Sequence, residues 1–232
     1  MTYDFWYWPG IPGRGEFVRI ALEAGGIAYR ERGREDGADV WAKRDSYSRT
    51  PPFAPPWLDN GELVIAQTAN ILMFLGERHG LAPDDVKGRF WTSQLMLTIM
   101  DVTAEAHDTH HPVDASAYYD DQKAEAKRAA TVFREQRIPK FLDHFTKALG
   151  GAEYFGGDRW SYADTGFFVL MSGLNHAFPR RMVALSGDYP TVFTHWDRIA
   201  ALPELRDYFA SDRCLPFGEG IFRYYPELDG EG

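Results

Sequence analysis

The chain has 232 residues, 44% hydrophobic and 25% charged, the make-up of a folded globular protein with room for one large domain or two small ones. A formal net charge of −9 argues against a nucleic-acid footprint, and no run approaches the roughly 20 apolar residues that a membrane-spanning helix needs. The one cysteine, Cys214, excludes an internal disulfide framework and a multi-cysteine metal centre. The start of the chain lacks the basic and apolar regions of a signal peptide, so a reducing cytoplasm is the expected compartment.

Residues 3–8 form a continuous aromatic run closed by Pro9-Gly10 and read as a strand. Gly13-Arg14 opens residues 16–24, where Phe17, Ile20 and Ala21 recur at helical spacing before Gly25-Gly26. Residues 27–31 suit a second strand. Residues 33–50 are polar without a clean period and read as loop with at most one helical turn. The proline-rich stretch Pro51-Pro52-Phe53-Ala54-Pro55-Pro56 then leads into Trp57-Leu58, the turn Asp59-Asn60-Gly61 and Leu63-Val64-Ile65, which together predict a β-hairpin. Gln67-Thr68 precedes an apolar helix over residues 69–75, ending near Gly76. The order is β-α-β-loop-β-β-α.

Beyond Pro83 the texture changes and no further strand is convincing. Residues 90–107, 123–149 and 165–175 read as helices, with a last short helix over 198–209. The mixed run from Lys123 to Arg128 reads as a solvated helix face. Ser161-Tyr162-Ala163-Asp164, ahead of an apolar run, reads as a capping box with Asp in the Glu position. His107, His110 and His111 have metal-ligand spacing, but no accompanying carboxylate motif supports the metal reading, and no metal is expected.

Three separated patterns resemble the cytosolic glutathione transferases. Tyr7-Trp8, then Gly13-Arg14 and Arg19, resembles the tyrosine-type classes mu, pi and sigma. Pro56-Trp57-Leu58 followed by Gln67-Thr68 resembles the family's cis-proline and Gln-Ser pair. Ser161-x-x-Asp164 resembles the capping element of its second domain. Together they span nearly the whole chain in the family's order. The resemblance implies a thioredoxin-like α/β domain over about residues 1–82, then an all-helical domain over 88–232 with an extended tail.

The resemblance also implies a site. Tyr7 would donate its hydroxyl to the glutathione sulfur, and Tyr3 and Trp8 are the neighbouring alternatives. The serine- and cysteine-type classes lack their residue, since no serine precedes Ser46 and no cysteine precedes Cys214. Gln67 and Thr68, at a helix start, would hold the γ-glutamyl end, where free N–H groups favour an anion. Pro56 would be the cis residue. Pro55 before it has no N–H, so either one backbone bond to the tripeptide is lost or the register shifts to make Pro55 the cis residue. Trp41 with Lys43 or Arg44 would hold the glycyl carboxylate, Arg14 would orient the site, and Glu105 would reach the γ-glutamyl amine of a second subunit. Trp8, Met100, Thr103, His107, Phe217 and Phe222 would wall the pocket for a hydrophobic electrophile. The implied partners are glutathione, that electrophile and a second copy of the chain. The implied activity is glutathione transfer, with glutathione-dependent isomerisation, ether cleavage, dehalogenation or a non-catalytic binding role as alternatives.

Overall fold

In the computed structural model, residues 2–230 are described. The N-terminal part contains β1 (Tyr3–Trp6), α1 (Gly13–Ala24), β2 (Tyr29–Glu31), α2 (Val40–Asp45), β3 (Trp57–Asp59), β4 (Val64–Ala66) and α3 (Thr68–His79). The sheet order is β2-β1-β3-β4, with β1 parallel to β2 and antiparallel to β3, and β3 antiparallel to β4. This is a mixed β-α-β-α-β-β-α arrangement, as expected of a thioredoxin-like domain.

Strand alternation decides which aromatic goes where. Tyr3, Phe5 and Tyr7 face the main core with Phe17, Ile20 and Leu72, while Trp6 packs with Val40 and Trp57 on the opposite face. Tyr3 is held deep in the core by His79 Nε2 at 2.8 Å and by the edge of Phe74. Trp8 turns to the α2 side and meets Trp41 at 5.0 Å between ring centroids. Tyr7 alone of the three is left at the strand end beside the start of α1.

The helical part comprises α4 (Val86–Asp108), α5 (Lys123–Val132), α6 (Ile138–Leu149), α7 (Tyr162–Ala177), α8 (Pro179–Leu185), α9 (Pro190–Ala200) and α10 (Arg206–Phe209). Helix α7 is apolar on nearly every side and is the central post, packed against α4 and also against α1 of the first part. Its capping box forms as expected: Asp164 accepts from the Ser161 N–H at 2.7 Å, and Asp164 also accepts from the Phe155 N–H at 2.8 Å. No helix among the described residues is long and apolar enough to cross a membrane.

Three expected boundaries move. Helix α3 continues through Gly76, because the Tyr162 ring packs where a Cβ would be, and stops at Gly80 with φ +70°. The run over 123–149 is interrupted by a π-helical turn at Phe133–Arg137, where Pro139 cannot supply the N–H that would continue regular α pairing. The helix expected over 198–209 is divided, because α9 ends at Ala200 and Pro203 opens a 3-10 turn, Pro203–Leu205, before α10.

Candidate functional site

Tyr7 is 4% exposed, and its hydroxyl accepts the Arg14 backbone N–H at 2.8 Å. That N–H is one of the unpaired donors at the start of α1. The close approach explains two glycines: a Cβ on Gly13 would overlap the Tyr7 hydroxyl, and one on Gly15 would come within 2.5 Å of the ring. Burial pushes the phenol pKa up, against the opposing pull of the Arg14 N–H and the Arg19 and Arg14 charges. The hydroxyl therefore keeps its proton at neutral pH and, with its lone pair already used, presents that proton as a donor.

Thr68 begins α3 and is 3% exposed, and its hydroxyl has no hydrogen-bond partner. Gln67 before it is exposed and sits at φ +68°, a conformation that a non-glycine residue adopts only when its surroundings impose it. No side chain caps this helix, so its first N–H groups remain open. The Pro55–Pro56 bond is cis, which makes Pro56 the cis residue and leaves Pro55 to offer only a carbonyl. The orphaned hydroxyl and the open helix start form a set of donors suited to a peptide carboxylate, and the Pro55 carbonyl offers an acceptor, so the residues present fit glutathione.

The remaining expected contacts are more scattered. Trp41, half exposed on α2, lies under the Arg44 guanidinium at 4.3 Å and beside Trp8. Lys43 is turned towards Asp59 at 3.8 Å and over the Tyr47 ring. Glu105 forms a two-pronged pair with Arg137 of its own chain, at 2.8 and 2.6 Å. Among the described residues no group of three His, Cys, Asp or Glu side chains is arranged to hold a metal ion.

Residues 107–212 match the family model described as "Glutathione S-transferase, C-terminal domain". That stretch carries the C-terminal domain of the glutathione S-transferases, and the chain as a whole is similar to proteins of that name. It is 21% identical over 204 residues to a glutathione S-transferase of Plasmodium yoelii yoelii, covering 86% of this chain and 89% of that protein. It is 25% identical to glutathione S-transferase P 1 of Xenopus laevis, covering 90% of this chain and 92% of that protein. Its fold matches the Pi-class glutathione S-transferase of Onchocerca volvulus with a TM-score of 0.71 at 18% identity, over 90% of this chain and 93% of that one.

Beyond Tyr7, the β1–α1 loop meets α4 and the C-terminal tail. Arg14 Nη1 reaches Met100 Sδ at 3.7 Å, and Gly220 of the tail lies over Ile11. Met100, Trp8, His107 and Phe217 are all partly exposed, with Trp8 facing Trp41 and Phe217 stacked on His176. Two expected wall residues are corrected. Thr103 is fully buried with its hydroxyl bonded to the Ile99 carbonyl at 2.7 Å, and Phe222 is 2% exposed in a slot left by Gly173. Both are core.

The sequence reading left one network unassigned. Arg19, fully buried, donates to both Glu31 oxygens at 2.9 Å, to Glu16 at 3.1 Å and to the Pro12 carbonyl at 3.2 Å. Its guanidinium stands 5.5 Å from the Tyr7 ring centroid. Tyr208, from the helical part, donates to the other Glu16 oxygen at 2.8 Å. The available signal was Glu16 and Arg19 at i,i+3 inside an otherwise apolar helix.

Proposed function

We propose that the chain is a glutathione transferase in which Tyr7 activates the thiol for attack on a hydrophobic electrophile. The observation that carries this reading is the buried, protonated Tyr7 hydroxyl anchored by the Arg14 N–H. When bound, glutathione supplies a thiol whose ionised form is the nucleophile. Free thiols ionise near pH 8.5, and each pKa unit removed corresponds to about 1.4 kcal/mol of thiolate stabilisation. Tyr7 would supply that through a charge-assisted hydrogen bond to the thiolate, with Arg14 adding positive charge nearby. Thr68 and the start of α3 would bind the γ-glutamyl carboxylate, Trp41 with Arg44 is the better-placed pair for the glycyl end, and the Pro55 carbonyl would take the cysteinyl N–H.

The test is isothermal titration with glutathione together with an absorbance titration of the bound thiolate. Binding in the range of about 1 μM to 1 mM is expected, with a thiol pKa well below that of free glutathione. Tyr7→Phe should leave affinity within a few-fold, raise the bound thiol pKa and lower kcat/KM by about 10²-fold or more. Full activity in that variant would remove Tyr7 from the role. The missing Pro55 N–H favours a second reading, a non-catalytic binding module, and absence of any glutathione binding would select it.

The same reading includes a homodimer. A groove of about 430 Å³ between α3 and α4 is lined by Met73, Phe74, Val86, Phe90 and Tyr162, and Phe53 projects 85% exposed from the first part. A second copy would cover this apolar face. The single, half-buried cysteine suits a reducing cytoplasm.

A further inference from the structure

We propose that the electrophile taken by this cleft carries an anionic group, a carboxylate or a similarly compact oxyanion, held between Arg14 and Arg223 beside His107 and His111. The proposal rests on the transferase reading and adds the substrate class.

Arg14 is a half-buried guanidinium that donates to a thioether sulfur, a weak acceptor, and feels the Asp108 charge only from beyond ion-pairing distance. Among the described residues no carboxylate lies within ion-pairing distance of it, in contrast to buried Arg19, which is paired with two. A partly desolvated guanidinium without a carboxylate partner is an incomplete site for an anion. Its position is fixed, because its own N–H anchors Tyr7 and its Nη1 rests on Met100.

Two helical turns along α4 from Met100, on the same face, stands His107. Its ring stacks on His111 at 5.0 Å, and the Arg14 and His111 charges both act on it. The tail closes the corner. His110 Nε2 donates to the Ile221 carbonyl at 2.9 Å, which holds Arg223, two residues on, near enough for its charge to act on His110 and His111. In a chain of net charge −9, two guanidinium groups thus converge on one cleft mouth beside imidazoles whose pKa burial pushes down. An anion there gives the guanidinium groups a partner and the imidazole N–H groups an acceptor.

The carboxylates present lie on the outside. Asp108, 3.5 Å from His107, has a side chain 67% exposed, and Glu219, 3.3 Å from Arg223, one 81% exposed, against 30% for His107 and 25% for Arg223. Such solvated pairs are weak, and an incoming anion can replace them. Asp114 also acts on His111 from the rim.

The probes are 4-chloro-3,5-dinitrobenzoate and its methyl ester. In conjugation the thiol sulfur bonds to the ring carbon, chloride leaves with the electrons of the C–Cl bond, and the thiol proton passes to solvent. With kcat/KM divided by the uncatalysed rate to remove intrinsic reactivity, the acid should exceed the ester by about tenfold or more, which is at least one charge-assisted hydrogen bond. Tryptophan-fluorescence binding of unreactive 3,5-dinitrobenzoate and its methyl ester should show the same preference, shrinking in about 0.5 M salt. Arg223→Gln should bring the acid-to-ester ratio towards one, Arg223→Lys should retain most of it, and Arg198→Gln, remote on α9, should not change it. Equal binding of acid and ester overturns the proposal, as does an Arg223→Gln variant with the parent ratio. Conjugation of both probes without acid preference defeats this inference and leaves the transferase reading standing. Conjugation of neither defeats that reading, and the binding arm still decides whether the cleft selects an anion.

Discussion

The buried network behind Tyr7 is open to a single-atom test, Tyr208→Phe. Phe keeps the ring, so no cavity forms, and the change removes only the hydroxyl that donates to Glu16 at 2.8 Å. Both groups are at most 5% exposed, so water cannot replace the lost donor and the Glu16 oxygen is left unpaired. Hydrogen bonds to charged groups are worth about 1.5–3 kcal/mol, and the expected loss near neutral pH is about 2 kcal/mol. Urea unfolding at fixed protein concentration reads it. The pH dependence supplies a second check. Burial raises the Glu16 pKa, so the folded protein favours its protonated form, and its contribution to stability is fully present below the unfolded value of about 4.3 and is lost as pH rises through the folded one. Removing a donor that favours the carboxylate raises the folded pKa further, so the variant's deficit should be largest above it and shrink as pH falls. A Phe variant as stable as the parent near neutral pH would refute the reasoning, as would a deficit that does not change with pH.

Other outcomes follow from the same geometry. Thr68→Val removes a buried hydroxyl without a partner, so urea stability should hold or rise by up to about 1 kcal/mol while calorimetry shows glutathione affinity falling about tenfold. Gly173→Ala puts a methyl group into the Phe222 ring; it should destabilise by about 1–3 kcal/mol and expose residues 217–225 to limited proteolysis. Asp164→Ala strips partners from the Ser161 and Phe155 N–H groups and from His195, which lies 3.2 Å away, so its melting temperature should fall by more than a cap deletion of about 1 kcal/mol explains. Phe90→Glu, on the apolar α3–α4 face, should convert a dimer to monomer in light scattering.

What the sequence revealed depended on whether the deciding interaction was local. The hairpin is local: Gly61 turns at φ +88°, its N–H bonds to Asp59, and Asn60 accepts from the Leu63 N–H at 2.8 Å, all within five residues. The capping box is local too. Gly76 failed as a helix terminator because its meaning was set by Tyr162, far along the chain, and no periodicity within α3 contains that ring. Phe222 was misplaced for the same reason, since the distant Gly173 leaves the slot that takes its ring. Thr103 is buried on the inner face of α4, and its hydroxyl is satisfied locally by the Ile99 carbonyl.

The candidate site shows the same division. Strand alternation, a local rule, separates Tyr7 from Trp8, whereas Tyr3 is set apart by its bond to His79; the Tyr7 hydroxyl is fixed by a helix start seven residues on. Glu16 and Arg19 carried a visible signal, two opposite charges in an apolar helix, but their role depends on Tyr208, 192 positions after Glu16. That distance has a physical consequence. The groups that fix the Tyr7 ring come from both halves of the molecule, since Arg19 reaches the ring and the Pro12 carbonyl from one side while Tyr208 holds Glu16 from the other. A disturbance of the interface between the halves, with no contact to Tyr7, should therefore appear in the ionisation of the bound thiol before it appears in glutathione affinity, which we assign to Thr68 and the start of α3.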